Sequence, residues 1–396
     1  MILDILKFLF FLFLKIIPKS KKVLVFGDRG GRRYADNSRH LFIYLHTNYK
    51  NFKCVWISKD HKVINYLREK KLRSYHPNSP IGLFYCLIAK YHIFNFVEDD
   101  IHKYITQFSN SILLWHGVLP KKLKSLEINT SYILKIIYKN LNKYFIYPEK
   151  KLAENIFERF PKNKYKLLIS NLPRNLIFSI KDLQKKDYYR TTNEIKFLEE
   201  LYKEKKHILG YFPTWRRDGL ELFRDIKNMT ELDKLDKVLR ENNSIIIVKQ
   251  HMNSEKKDNN ILYNQKIENI VDYLKKLENF RFVNYEFDLN SILEICDVLI
   301  SDYSGVILDY LYLNRPIVTY APDYISFKKH NGFNLDPLEN QFTYYAKDIN
   351  DLSILISNFN NDKEAFCSLH QEKRNKVKNR VFPANLWIEN IINLFK

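Results

Sequence analysis

The sequence predicts an α/β protein built from two doubly wound parallel sheets. Short apolar runs of strand length alternate with segments of helical periodicity, the pattern of parallel strands joined by crossover helices. The alternation occurs twice, in residues 21–125 and again in residues 206–375, with a stretch of different composition between them. At 396 residues the chain is also longer than one hydrophobic core usually serves. Two lobes facing a cleft is the expected arrangement.

Taken in order, KKVLVFGDRGG (21–31) reads as a buried strand running into a glycine-rich loop. A helical pattern from Ser38 to Thr47 follows, then a strand at FKCVWIS and a helix at HKVINYLREKKL. YHIFNFV and SILLWHG continue as strands and complete an N-terminal α/β domain at about residue 125. Residues 126–205 are rich in Lys, Tyr and Asn, break at Asn171-Leu172-Pro173-Arg174, and read as a helical connector. The second lobe places strands at HILGYFPTWR, SIIIVKQH, FRFVNY, DVLISDYSG and PIVTYAPD. Residues 376–396 end the chain as a C-terminal helix.

Residues 1–20 form a separate expectation. The uninterrupted apolar run from Phe8 to Leu14 is too short to span a bilayer, which takes about 20 residues. Asp4, Lys7, Phe11 and Lys15 fall on one helical stripe, and Lys19, Lys21 and Lys22 follow Pro18. Such a helix either lies in a membrane interface with its lysines near anionic headgroups or packs on its own domain. No small-residue cleavage site follows it.

Composition narrows the chemistry. Sixty-five Lys and Arg against 45 Asp and Glu give a net charge of +20, suited to polyanions or an anionic membrane surface. No RNP, helix-turn-helix or zinc pattern points to nucleic acid. Cys54, Cys86, Cys296 and Cys367 form no CxxC and read as reduced core thiols. There is no GxxxxGK[ST], GDRGG departs from GxGxxG, and no DxD follows a strand, so no metal or cofactor is expected. Glu98-Asp99-Asp100 reads as a solvated loop.

Ligands of open α/β sheets bind beyond the carboxyl ends of the strands, so those ends hold the candidates. In the second lobe they carry Thr214 and Arg216, then His251, then Asp302, Tyr303, Ser304 and Gly305. Ser304 is placed to cap a helix, and Gly305 lets a phosphate approach the backbone. Alternatively, Ser304 is only a cap and Asp302 only shapes the turn. Together with His251 and Arg216 the set suggests a diphosphate clamp that works without Mg²⁺.

In the first lobe His116 follows a strand, with Lys121 and Lys122 just beyond. It is either a core histidine bonded to backbone or a base for an attacking hydroxyl. Asp36 and Asn37 either cap the helix that starts near Ser38 or, with Arg29, meet a phosphate-bearing acceptor.

At these residues the chain resembles the CDP-glycerol glycerophosphotransferases, the teichoic-acid primases and polymerases and their capsule-making relatives. The stretches that carry the resemblance are FGDRGGRRYADNSRHLFIYL, LLWHGVLPKK, SNLPRN, YFPTWR, VKQH and LISDYSGVILDYLYLNRPIVTYAPD. The resemblance implies a GT-B-like fold, peripheral attachment to the cytoplasmic face of the membrane, and metal-independent transfer of alditol phosphate from a CDP-alditol. The acceptor would be a hydroxyl of a lipid-linked or polymer chain, with CMP released.

By the same resemblance His116 and His251 would be catalytic. Thr214, Arg216, Asp302, Tyr303, Ser304 and Gly305 would bound the donor pocket, and Arg29, Asp36, Asn37 and Lys121 the acceptor side. The chain departs from the family at four places: the family often has Thr at the place of Val118 and Ser at the place of Gly305, its proline-glycine pair has no clean counterpart near GFNLDPLEN, and its Asp-Gly-x-x-Ser is missing from KVKNRVFPANLW. A GT-B glycosyltransferase using a nucleotide sugar is the alternative, and a non-catalytic polyanion-binding protein a distant third. Release of CMP separates the first from both.

Overall fold

A computed structural model describes residues 2–123, 131–161, 164–214, 223, 225–249, 270–284, 286–382 and 388–396. The chain divides into two compact units. The first comprises Met1–Gly117, Lys124–Tyr189 and Phe382–Lys396, and the second Val118–Leu123 and Arg190–Val381.

The first unit holds strands β1 (Ser20–Gly27), β2 (Lys53–Ile57), β3 (Ser74–Tyr75), β4 (Ala89–Phe94), β5 (Ser111–Leu113), β6 (Lys143–Tyr147) and β7 (Lys166–Ile169). All pair in parallel, in the order β3-β2-β1-β4-β5-β6-β7. The second unit holds β8 (His207–Tyr211), β9 (Ser244–Val248), β10 (Phe280–Phe282), β11 (Val298–Ser301), β12 (Ile317–Tyr320) and β13 (Tyr344–Ala346). These too are parallel, in the order β10-β9-β8-β11-β12-β13. Helices cover both faces of such sheets, so their strands are apolar runs without alternation. Ile245, Ile246, Ile247 and Val248 of β9 are all fully buried. In each sheet the direction of winding reverses once, between β1 and β4 and between β8 and β11. Those reversals leave a gap beyond the strand ends, where no crossover helix covers the sheet.

Three expectations are corrected. The stretch read as a helical connector carries β6 and β7, which extend the first sheet. Lysine disguised β6: Lys143 opens the strand yet is buried, with its Nζ donating to Thr106 O and Ser111 Oγ at 3.1 Å each. The C-terminal segment is no separate element either. Ile391, Ile392 and Phe395 enter the first unit's core beside Leu24, Tyr91 and Trp56. Finally, the acidic loop is solvated only in part, at Asp99, whose side chain is 44% exposed. Asp100 is buried and accepts from the amides of Gly30 at 2.7 Å and Phe96 at 2.8 Å, while Glu98 pairs with Lys164 at 2.7 Å. The thiols of Cys54, Cys86 and Cys296 are buried and unpaired as disulfides, as expected.

The first helix, α1 (Ile2–Ile16), docks through Phe11 and Leu14, which are buried, and through Phe10, edge-on to Phe108 at 5.9 Å. The expected charged stripe therefore includes a buried position. What α1 turns outward is mostly apolar: Leu3, Ile5, Leu6, Leu9, Leu12, Phe13 and Ile16 are exposed. Among the described residues no helix is long and apolar enough to cross a membrane.

Candidate functional site

Beyond β1 and β4, at the reversal of the first sheet, stand Asp28 and Asn95. Asn95 Nδ2 donates to Asp28 Oδ1 at 2.8 Å, and Asn95 Oδ1 accepts from Ser38 N and Ser38 Oγ, each at 3.0 Å. All three side chains are fully buried. Ser38 lies in the first turn of α2 (Asp36–Asn48), where backbone amides lack helical partners. Ala35 occupies the cap position without a side-chain bond, while Asp36 Oδ1 accepts from Asn37 N at 2.8 Å and the Asn37 side chain bonds outside the helix.

Asn37 Nδ2 donates to Trp115 O at 2.8 Å, and Asn37 Oδ1 accepts from Arg174 N at 3.0 Å. Arg174 Nη1 donates to His116 O at 3.0 Å and to Asp36 Oδ1 at 3.1 Å. His116 itself sits at the end of β5, its ring 5.3 Å from Phe96 and 4.3 Å from Trp115. The first unit thus brings His116, Asp36 and Asn37 into one hydrogen-bonded group. Arg29 opens the turn after β1, where Gly30 and Gly31 adopt φ of 64° and 75°. Lys121 lies in a segment of the second unit, where it pairs with Phe333 in an isolated bridge.

The reversal of the second sheet has the same construction. Thr214, after β8, donates its amide to Asp302 Oδ1, after β11, at 2.7 Å, and both residues are buried. Thr214 Oγ1 has no partner among the described residues. Ser301 Oγ adds a second tie, donating to Phe212 O at 2.7 Å.

The helix after this loop, Val306–Tyr310, is capped by Gly305, one residue later than expected, and Ser304 Oγ meets Val306 N only at 3.5 Å. Tyr303 is fully buried, stacked on Phe327 at 3.8 Å, with its hydroxyl on Asp323 Oδ1 at 2.9 Å. Arg216 and His251 lie outside the described residues. Among the described residues no group of three or more His, Cys, Asp or Glu could hold a metal ion.

Two residues of this site carry no role in the sequence reading. Arg174 stands in the SNLPRN stretch, and Asn95 is the single amide in an otherwise apolar strand end, a signal that was legible.

Burial pushes the Asp28 carboxyl up to about 7, with the neighbouring carboxylates of Asp36 and Asp100 adding to the effect against Arg33 and Arg29. An acid whose folded value lies above its unfolded value weakens the fold as pH rises between the two. Asp28 therefore takes stability away from about pH 4 to about pH 7. Asp28→Asn keeps the acceptor for Asn95 and removes the ionisation. Its melting temperature relative to the parent should climb steadily over that window. A difference that stays flat with pH would show that Asp28 does not titrate there.

The family comparisons agree on one group. A family model described as CDP-Glycerol:Poly(glycerophosphate) glycerophosphotransferase matches residues 9–385. The Teichoic acid poly(glycerol phosphate) polymerase of Bacillus spizizenii is 30% identical over 345 residues, covering 81% of this chain and 79% of its own. The Teichoic acid glycerol-phosphate transferase of Staphylococcus aureus is 24% identical over 338 residues, 81% of this chain and 80% of its own. The solved structure of the Wall Teichoic Acid Polymerase TagF superposes with a TM-score of 0.66 at 22% identity, over 95% of this chain and 88% of that one, a likeness of fold.

Proposed function

Because the chain belongs to the CDP-glycerol:poly(glycerophosphate) glycerophosphotransferase family, we propose that it transfers glycerol phosphate from CDP-glycerol to a hydroxyl of a membrane-linked acceptor, building a teichoic-acid-like or capsular polymer. The fold is GT-B-like, two parallel α/β units. One observation carries the reading beyond family membership. At the reversal of each sheet, where α/β proteins bind ligands, a pair of buried polar residues is locked across the gap: Asp28 with Asn95, and Thr214 with Asp302.

In this reading the second unit holds the donor. The Thr214 hydroxyl and the backbone amides at Ser304 and Gly305 face the diphosphate, and Arg216 and His251 add charge. His116, in the first unit, takes the proton of the acceptor hydroxyl as its oxygen attacks the phosphorus that bears glycerol. A P–O bond forms to the acceptor, and the bond from that phosphorus to the oxygen bridging to CMP breaks. CMP departs with that oxygen, and the donors around the diphosphate offset its growing charge. The outward apolar side chains of α1, followed by Lys19, Lys21 and Lys22, favour peripheral attachment to an anionic membrane surface.

The test is CMP release by the full chain from CDP-glycerol or CDP-ribitol, with a lipid-linked acceptor in anionic vesicles, and a nucleotide sugar as control. CMP that requires both CDP-glycerol and acceptor, from protein that floats with the vesicles, is the expected result. A nucleoside diphosphate released from the nucleotide sugar, without CMP, would move the reaction to glycosyl transfer. Full activity on a soluble acceptor, with no flotation, would remove the membrane from the proposal.

A further inference from the structure

We infer that Arg174 is a positioning residue for His116, fixing the turn that carries the imidazole, with Asn37 as its brace and Asp36 as its counter-charge. The inference rests on the reading of His116 as the base.

The turn is one the chain does not adopt unaided. Trp115 has φ of 59° and Gly117 φ of 129°, so the residues on both sides of His116 lie at positive φ. Asp36, facing them, has φ of 60°. A non-glycine residue held there is strained and persists only where its surroundings over-determine it. Arg174 and Asn37 supply those surroundings. Two successive carbonyls of the turn, Trp115 O and His116 O, are taken by Asn37 Nδ2 and Arg174 Nη1. The two clamping residues are joined to each other through Arg174 N and Asn37 Oδ1.

Asp36 Oδ1 holds the guanidinium at 3.1 Å, in a pair whose side chains are 15% and 6% exposed. The guanidinium packs so closely that a Cβ on Gly117 would meet Arg174 Nη2 at 2.4 Å. With the backbone set from one side, and the Phe96 and Trp115 rings beside the imidazole, few orientations remain for the ring. A planar, two-branched cation suits this work, because one branch is shared between a carbonyl and a carboxylate while the other lies along the glycine.

The segment supporting Arg174, the 3-10 stretch Pro173–Ser179, packs on α2, the helix that presents Asp36 and Asn37. Sequence positions about 60 and 140 residues apart thus meet at one backbone turn.

The experiment compares the full chain with Arg174→Ala, Arg174→Lys, Asp36→Asn and His116→Ala. It reads kcat and KM for CMP release from CDP-glycerol, the melting temperature, and the response to added guanidinium ion. Arg174→Ala is expected to lose about 10²-fold in kcat, the scale of a small misplacement of a reacting group, with KM for CDP-glycerol unchanged. Arg174→Lys should stay low, because an ammonium has no second branch to lie along Gly117 as Arg174 Nη2 does. Guanidinium should restore part of the lost kcat in Arg174→Ala and none in His116→Ala, a response that a general loss of folding would not give.

Asp36→Asn is nearly isosteric and guards against a variant that fails to fold; it should lower kcat in the same direction, by less. Parent-like kcat in Arg174→Ala or in Asp36→Asn, beside an inactive His116→Ala, would overturn the clamp and leave His116 as the base. An active His116→Ala would instead overturn the reading on which the clamp rests.

Discussion

Replacement of His116 by alanine is expected to lower kcat for CMP release by about 10²- to 10⁴-fold, the usual contribution of a positioned general base. KM for CDP-glycerol should hardly move. His116 belongs to the first unit, whereas Thr214, Asp302, Ser304 and Gly305 belong to the second. Loss of the imidazole removes an acceptor for the proton of the attacking hydroxyl, and leaves the residues read as holding the diphosphate in place. His116→Ala also keeps the backbone carbonyl to which Arg174 donates, so the turn itself should survive and the melting temperature should stay near that of the parent. Equal turnover by parent and variant would assign the proton to another group.

Much of this site was legible because parallel sheets betray themselves. Strands such as β1, β5, β9 and β11 are apolar runs that stop abruptly at polar residues, and the residues after the stop are where ligands bind. Local pattern therefore singled out Thr214, Asp302 and His116, which the fold places after β8, β11 and β5. It did not find the partners that make them a site. The bond from Asn95 to Asp28 requires β1 beside β4, a pairing across 67 positions that no local pattern encodes. Arg174 is similar: its neighbours are a helix start and a strand end far away in the chain. Local chemistry also misled. Lysine at position 143 suggested a helical surface where a strand begins, and no local pattern names Asp323 as the partner of the Tyr303 hydroxyl. Residue type states what a side chain can do. Only the fold states which partner reaches it first.

The second large effect concerns Gly305, where a sequence comparison and the structure point in opposite directions. The family pattern that the chain resembles puts serine at this place, so Gly305→Ser looks like a restoration that adds a hydroxyl near the proposed diphosphate site. The structure predicts damage. At φ of −59° the backbone of Gly305 accepts any residue, so conformation is not the obstacle. Space is. A Cβ at this position would stand 2.5 Å from Val118 O and 3.5 Å from Leu119 Cδ2, within the second unit. The nearest atom is a backbone carbonyl, which moves only if the whole segment Val118–Leu123 moves, and that segment is pinned by Asn334 N and Leu335 N donating to Pro120 O at 2.7 and 3.0 Å. Forcing an extra carbon into a packed place typically costs about 1–3 kcal/mol. Gly305→Ser should therefore melt below the parent and release CMP more slowly, by up to about tenfold for each 1.4 kcal/mol that falls on the transition state. Ser304→Ala, which keeps its Cβ and gives up only a long contact to Val306 N, should be the milder change. Adding Val118→Thr to Gly305→Ser should not help, because the obstructing atom belongs to the main chain and remains. If the double variant recovers parental melting and turnover, the conflict lies between the two side chains, and the close approach of the Val118 carbonyl is not what keeps position 305 a glycine.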